Sequence, residues 1–167
     1  MTPPLYPLRP SGGLNRRSFL AGSASLALAA LTREQAYGSV TKSPVFAANP
    51  FSLGVASGDP APDGFVLWTR LAPAPLDPDG GMPPQPVEVA WLVAEDEAMG
   101  KVVAQGTAVA TPEWAHSVHI EVQGLRPDRW YWYQFTAGSA VSPVGRTRTF
   151  PAADALPDRL RFAFASC

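Results

Sequence analysis

Proline is the feature that most constrains how this sequence can fold. Nineteen of its 167 residues are proline, roughly twice the usual share of about 5%. Proline lacks a backbone N–H and clashes with the preceding helical turn, so this density excludes long helices over most of the chain. Six prolines and the pair Gly80-Gly81 fall within residues 72–86, which are therefore predicted to form a loop. The core must be built largely from short strands.

Between the prolines, short runs alternate apolar and polar residues, as half-buried strands do. A turn at residues 57–60 is expected to end the first run, which covers residues 51–56. Gly106 is expected to divide the fourth run, residues 101–110, into two short edge strands. This part of the chain has about 100 residues and about seven strands, which is the size of a fibronectin type III or immunoglobulin-like β-sandwich. We therefore predict an all-β sandwich domain over residues 48–150. The runs cover residues 51–56, 65–71, 87–94, 101–110 and 116–122.

A Leu-x-Pro turn before one further strand supports the sandwich. Leu125 and Pro127 precede Tyr131, which follows the proline by four residues. This spacing is similar to the tyrosine corner of fibronectin type III and related sandwiches, in which the tyrosine hydroxyl bonds back to the turn. Such folds also carry a buried tryptophan on an early strand, and Trp68 is the expected counterpart.

Trp130 and Trp132 are predicted to face away from the core. Alternation places them on the face of their strand opposite Tyr131. Exposed apolar groups that cluster usually mark a contact, so an interdomain contact or a sugar-stacking site is expected here. The alternative is that the proline-rich loop at residues 72–86 covers them.

The N-terminal region resembles an export signal. Arg16-Arg17 stand directly before Phe19 and Leu20, and the mildly apolar stretch at residues 19–31 is 13 residues long. As a helix it would span about 20 Å, too short for a bilayer core of about 30 Å. Paired arginines before a short apolar stretch favour a twin-arginine signal, helical or disordered, over residues 1–47. The alternative is an amphipathic helix that packs on the domain.

The small residues that precede Ala48 indicate where this leader ends. Ala47 and Val45 occupy the −1 and −3 positions of a cut between Ala47 and Ala48, and Ala36 is a rival site. A cut after Ala47 would remove five of the 13 basic and one of the 14 acidic residues, which leaves a net charge of −5. An acidic exported product argues against nucleic acid or anionic lipid as a partner.

No set of catalytic residues is predicted within the chain. His116 and His119 are three residues apart on a predicted strand. Their side chains would face opposite sides of that strand and could not easily coordinate the same metal ion. The acidic run at residues 95–97 follows a strand and is typical of a solvated turn. Asp59 and Asp63 flank turns, where aspartate commonly bonds its own backbone.

The C-terminal residues do not belong to the predicted sandwich. Residues 151–159 are predicted to form a linker, and residues 160–167 have the pattern of a buried strand that ends on Cys167. A single strand is not stable alone, so we expect it to be the first strand of a second, α/β domain that the sequence does not contain.

Three stretches together resemble the PhoD-type alkaline phosphatases. They are Phe-Ser-Leu-Gly-Val-Ala-Ser-Gly-Asp-Pro at residues 51–60, Val-Leu-Trp-Thr-Arg-Leu at residues 66–71, and Arg-Phe-Ala-Phe-Ala-Ser-Cys at residues 161–167. The resemblance implies an exported hydrolase of phosphate monoesters and diesters: a twin-arginine leader, a β-sandwich and then a metallophosphatase domain. It implies iron and calcium as cofactors, with Cys167 as an iron ligand. The Asp, Asn and His ligands expected downstream are not in this sequence, so the chain alone should be inactive.

The resemblance also sets the expected partners and the alternatives. The expected partners are the twin-arginine translocation machinery, the metallophosphatase domain and a phosphate-ester substrate; no stable membrane span is expected. A secreted binding module that uses Trp130 and Trp132 is the alternative function. A purple-acid-phosphatase-like enzyme is disfavoured, because its first metal ligand should be Asp where Cys167 stands.

Overall fold

The computed structural model describes residues 39–156 and residue 159. Within these residues the regular structure consists of strands and one short 3-10 helix at Pro112–Trp114. The strands are β1 (Val55–Ala61), β2 (Gly64–Arg70), β3 (Val87–Ala94), β4 (Val102–Ala110), β5 (Ser117–Val122), β6 (Trp130–Ala137), β7 (Ala140–Val141) and β8 (Gly145–Arg148).

The strands form two antiparallel sheets that pack as a sandwich. One sheet has the order β1-β2-β5, and the other has the order β4-β3-β6, with β7 and β8 both paired to β6. The predicted all-β sandwich fold is confirmed. The prolines of residues 72–86 lie in the connection between β2 and β3, where no ladder needs their missing N–H groups.

The core lies between the sheets and is built from alternate residues. Successive side chains of a strand point to opposite faces, so each strand contributes every second residue to the buried layer. On β5 this layer contains Val118, Ile120 and Val122, whereas His119 and Glu121 are exposed. The largest fully buried side chains elsewhere include Phe51, Phe65, Leu67, Leu71, Tyr131 and Phe135.

The first strand begins and ends later than its sequence indicates. β1 covers Val55–Ala61, so residues 57–60, expected to be a turn, belong to the strand. Ser57 and Gly58 pair with β2, and the register shifts between Gly58 and Ala61. This irregularity accommodates Asp59, whose φ of 45° is left-handed, and Pro60, which an edge strand tolerates.

The fourth strand is continuous, contrary to the expected division at Gly106. Gly106 is the cross-strand partner of Trp91 in the ladder between β3 and β4. A Cβ at Gly106 would lie 2.8 Å from Cζ2 of the Trp91 indole, so the glycine leaves room for that ring. Gly106 therefore allows the Trp91 ring to pack across the strand and does not end β4.

Trp68 is not the buried tryptophan of this sandwich. It is half-buried on β2, whereas the alternate residues Phe65, Leu67 and Thr69 are buried. The prediction was wrong because a strand's alternation does not tell which face meets the other sheet. Trp91 on β3 is the tryptophan that packs against the core cluster.

Candidate functional site

The turn before β6 is closed by the hydroxyl group of Tyr131. This side chain is 1% exposed. Its oxygen accepts a hydrogen bond from the Arg126 N–H at 2.9 Å and donates one to the Arg126 carbonyl oxygen at 3.3 Å. Leu125 is buried, and its N–H donates to the Asp63 carbonyl oxygen at 2.8 Å, whereas Pro127 is exposed.

Thr149 is a second part of this corner that sequence reasoning missed. Its hydroxyl group donates to the Arg126 carbonyl oxygen at 2.7 Å and accepts from the Arg129 N–H at 3.1 Å. A threonine in an apolar-polar alternation is an ordinary strand residue, so no local signal marked it. The chain just after β8 is thereby tied to the turn before β6.

The outer face of β6 and β8 carries what we term the Trp130 surface: Trp130, Trp132, Arg146 and Arg148. Antiparallel register places Trp130 opposite Arg148 and Trp132 opposite Arg146. The Arg146 guanidinium carbon lies 4.5 Å from the Trp130 ring centroid, and that of Arg148 lies 5.5 Å away. Both distances are within cation–π range.

The Trp130 surface remains accessible despite these contacts. Trp130 is 47% exposed, and Trp132 is half-buried. The groups that lie over the Trp130 ring are the guanidinium groups of Arg146 and Arg148 on β8. Arg148 also forms an ion pair with Asp128. Arg146 and Arg148 stand at alternate positions of the sequence, which is the signal that could have indicated them.

The two histidines differ in exposure, and one carboxylate of the acidic run stabilises a turn. His116 is 3% exposed, with its Nε2 atom 3.2 Å from the Gln85 carbonyl oxygen, and His119 is exposed on β5. The Asp96 carboxylate accepts from the backbone N–H groups of the turn before β4. In residues 39–156 and 159, no three His, Cys, Asp or Glu side chains are grouped so that they could hold a metal ion.

Tyr133 is a buried ionisable group on the core face of β6. It is 3% exposed, and burial raises the pKa of its hydroxyl above the ordinary value of 10.0. A Cβ at Gly145 would lie 2.2 Å from the Tyr133 Cζ atom. The ring therefore lies directly against the β8 backbone and adds to the core rather than to a reactive site.

The predicted terminal sites are only partly within the described residues. Ala47 and Ala48 are exposed in the segment before β1. The signal residues Arg16, Arg17, Phe19 and Leu20 lie outside the described residues, as does Cys167. In the part of the chain that the structure describes, no helix is long and apolar enough to cross a membrane.

Two antiparallel sheets that pack as a sandwich and a tyrosine corner define a fibronectin type III-like β-sandwich module. The chain belongs to the family described as PhoD-like phosphatase, N-terminal domain, whose family model matches residues 36–151. Alkaline phosphatase D of Bacillus subtilis (strain 168) is 50% identical over 157 residues, which cover 92% of this chain and 27% of that protein.

A solved structure of PhoD gives the same relationship in three dimensions. It matches with a TM-score of 0.66 and 56% identity over 68% of this chain and 22% of that one. A fibronectin type III domain derived from a human protein aligns more loosely, at 14% identity and a TM-score of 0.41, over 68% of this chain and 82% of that one. The chain thus spans about a quarter of the length of the phosphatases it matches.

Proposed function

We propose that this chain is the N-terminal part of an exported, metal-dependent alkaline phosphatase and phosphodiesterase, and that its sandwich is a non-catalytic module. The observation that carries the proposal is the 50% identity with alkaline phosphatase D over 157 residues, which make up 27% of that protein. The reaction is the hydrolysis of phosphate monoesters or diesters.

Iron and calcium are the proposed cofactors of the intact enzyme, with Cys167 as one iron ligand. The residues that the structure describes do not fit a metal site, because no suitable group of side chains occurs among them. Catalytic metals typically need about three protein ligands, so one thiolate is insufficient. We therefore propose that the 167-residue chain is inactive by itself.

The coding DNA and a phosphatase assay test this proposal together. The codons after Cys167 are read in frame, and the complete product is assayed at alkaline pH with p-nitrophenyl phosphate and bis(p-nitrophenyl) phosphate. We expect activity that depends on added iron and calcium and that Cys167→Ala abolishes, with none from the 167-residue chain. A stop codon directly after Cys167, or a complete product without metal-dependent hydrolysis, would favour a secreted binding module instead.

The proposed role of the Trp130 surface is to contact the metallophosphatase domain. The polypeptide leaves the sandwich beside it: the Asp128 N–H donates to the Phe150 carbonyl oxygen, and the Phe150 N–H donates to the Ala61 carbonyl oxygen, each at 2.9 Å. The nine residues at 151–159 can span at most about 30 Å. A domain that follows this linker is tethered near the exposed Trp130 ring.

Substitution of Trp130 tests the contact. In the 167-residue chain we expect Trp130→Ala to cost less than about 1 kcal/mol, the scale of an exposed cation–π contact. In the complete enzyme we expect a larger loss of stability, since the contact with the second domain is lost as well. The matched control is Trp114→Ala, because Trp114 is 75% exposed at the 3-10 helix. Equal losses for Trp130→Ala in both proteins would exclude an interdomain contact.

The proposed export follows the twin-arginine route to the periplasm or the medium. The support is the Arg16-Arg17 pair before Phe19 and Leu20. Replacement of both arginines by lysine keeps the charge but removes the paired guanidinium groups. We expect the complete product to stay in the cytoplasm in that variant. Unchanged export of the variant would refute this route.

A further inference from the structure

The segment before Ala47 is hydrogen-bonded to the sandwich. Thr41 forms a parallel bridge with Val87. The Thr41 N–H donates to the Pro86 carbonyl oxygen at 2.9 Å, and the Glu88 N–H donates to the Thr41 carbonyl oxygen at 3.0 Å. The ladder between β3 and β6 begins only at Ala90. Thr41 thus pairs with Val87 at the start of β3, a part of the strand that forms no ladder with β6.

Pro44 is the first buried residue of the described chain, and it lies against the turn between β6 and β7. Gly138 in that turn has a φ of +57°. A Cβ at Gly138 would lie 2.6 Å from the Pro44 carbonyl oxygen and 3.0 Å from its Cδ atom. The glycine therefore permits both the turn and the close approach of Pro44.

Phe46 continues the contact, and the chain is held again just beyond Ala48. Phe46 packs against the core cluster, whereas Val45 is 98% exposed. Further on, the Phe51 N–H donates to the Asn49 side chain at 3.0 Å, and the Ala72 N–H donates to the Pro50 carbonyl oxygen at 2.7 Å. The bond between Ala47 and Ala48 is therefore flanked by packed residues on both sides.

These contacts bear on where the leader is removed. A signal peptidase reads small residues at −3 and −1 in an accessible segment, and the twin-arginine route carries proteins that have already folded. A cut between Ala47 and Ala48 would discard Pro44 and Phe46 from the folded sandwich. We infer that the leader is removed on the N-terminal side of Pro44, so the mature protein keeps both residues; this rests on the proposed export. The rival site at Ala36 is compatible with such a cut.

The first test is the N-terminus of the exported complete protein, with and without Ala47→Leu. A leucine at −1 would block a cut after that position, and the exposed Ala47 side chain leaves the fold unaffected. We expect both proteins to be processed equally and to begin at or before Pro44. A start at any residue after Pro44, or accumulated precursor in the variant, would overturn the inference.

The second test does not depend on export. The unprocessed 167-residue chain, purified from the cytoplasm, is digested with a non-specific protease, and the resistant core is identified by mass spectrometry. We expect the core to begin at or before Pro44, and Phe46→Ala to increase the digestion rate at residues 41–47 several-fold. Val45→Ala is the matched control and should leave the rate unchanged. A core that begins after Pro44, or equal rates for the two variants, would overturn the inference. If the complete protein is never exported, the export proposal fails while this digestion still decides whether the segment is packed.

Discussion

The tyrosine corner offers the sharpest quantitative test of this sandwich, through Tyr131→Phe. The substitution removes one oxygen atom and keeps the ring, whose centroid lies 5.9 Å from that of Phe65. The Arg126 N–H loses its hydrogen bond, whereas the Arg126 carbonyl oxygen keeps the one from Thr149 at 2.7 Å. The two backbone groups of Arg126 are therefore affected unequally.

The expected loss of stability follows from these contacts. A hydrogen bond contributes about 0.5–1.5 kcal/mol net, and a buried group left without a partner costs about 1–3 kcal/mol. Arg126 lies on an exposed turn, so water recovers part of that cost. We expect Tyr131→Phe to lower the free energy of unfolding by about 1–2 kcal/mol.

The measurement is urea unfolding of the 167-residue chain, followed by tryptophan fluorescence. A double-mutant cycle with Thr149→Val isolates the shared carbonyl group, because the Arg126 oxygen loses its last protein donor only in the double variant. We expect the double variant to lose more than the two single losses combined.

Two outcomes would refute this reasoning. A loss below about 0.5 kcal/mol for Tyr131→Phe, the lower limit for a net hydrogen bond, would show that the hydroxyl does not hold the turn. Strict additivity with Thr149→Val would show that the two hydroxyl groups do not act on the same carbonyl.

Three further predictions concern β8, the buried tyrosine and the turn before β4. Gly145→Ala should lower the free energy of unfolding by about 1–3 kcal/mol, as overpacking of a core does, because the new Cβ atom would clash with the Tyr133 ring. Gly58→Ala is the control in the same urea titration and should cost less, because a Cβ atom at Gly58 would have no other atom within 4 Å. Since burial raises the pKa of Tyr133, its contribution to stability is complete below about pH 10 and is lost as the pH rises through the folded-state pKa. Unfolding midpoints at pH 8–12 should therefore fall less steeply in Tyr133→Phe, and equal slopes would contradict this. Asp96→Ala should cost about 1–2 kcal/mol through the lost hydrogen bonds of its turn, whereas the exposed Glu97→Ala should cost little; thermal unfolding of both compares them.

Alternation and turn chemistry made much of this fold predictable from the sequence. The pattern at residues 116–122 predicted which residues of β5 are buried, because the period-two rule is local to a strand. Residues 87–94 were predicted with the same limits as β3. The identity of these elements depends on neighbouring residues alone, so a single sequence contains the necessary information.

Position relative to distant residues was less predictable. The pairing of Ser57 and Gly58 with β2, and the Trp91 ring over Gly106, both override local signals that favour turns and breaks. The arginines that lie over Trp130 reach it only through the register of β8 against β6. Each of these contacts is made with a neighbouring strand, so the residues of one strand do not determine it.

The sequence by itself determined the all-β class, the spacing of Leu125, Pro127 and Tyr131, and the residues that carry the family resemblance. Tertiary structure alone decided which face of β2 is buried, how Thr149 completes the corner, and that Pro44 and Phe46 belong to the sandwich. The physical reason is that alternation and turn preference act between near neighbours. Burial and backbone pairing depend instead on which strand or sheet packs against a residue once the sandwich has formed.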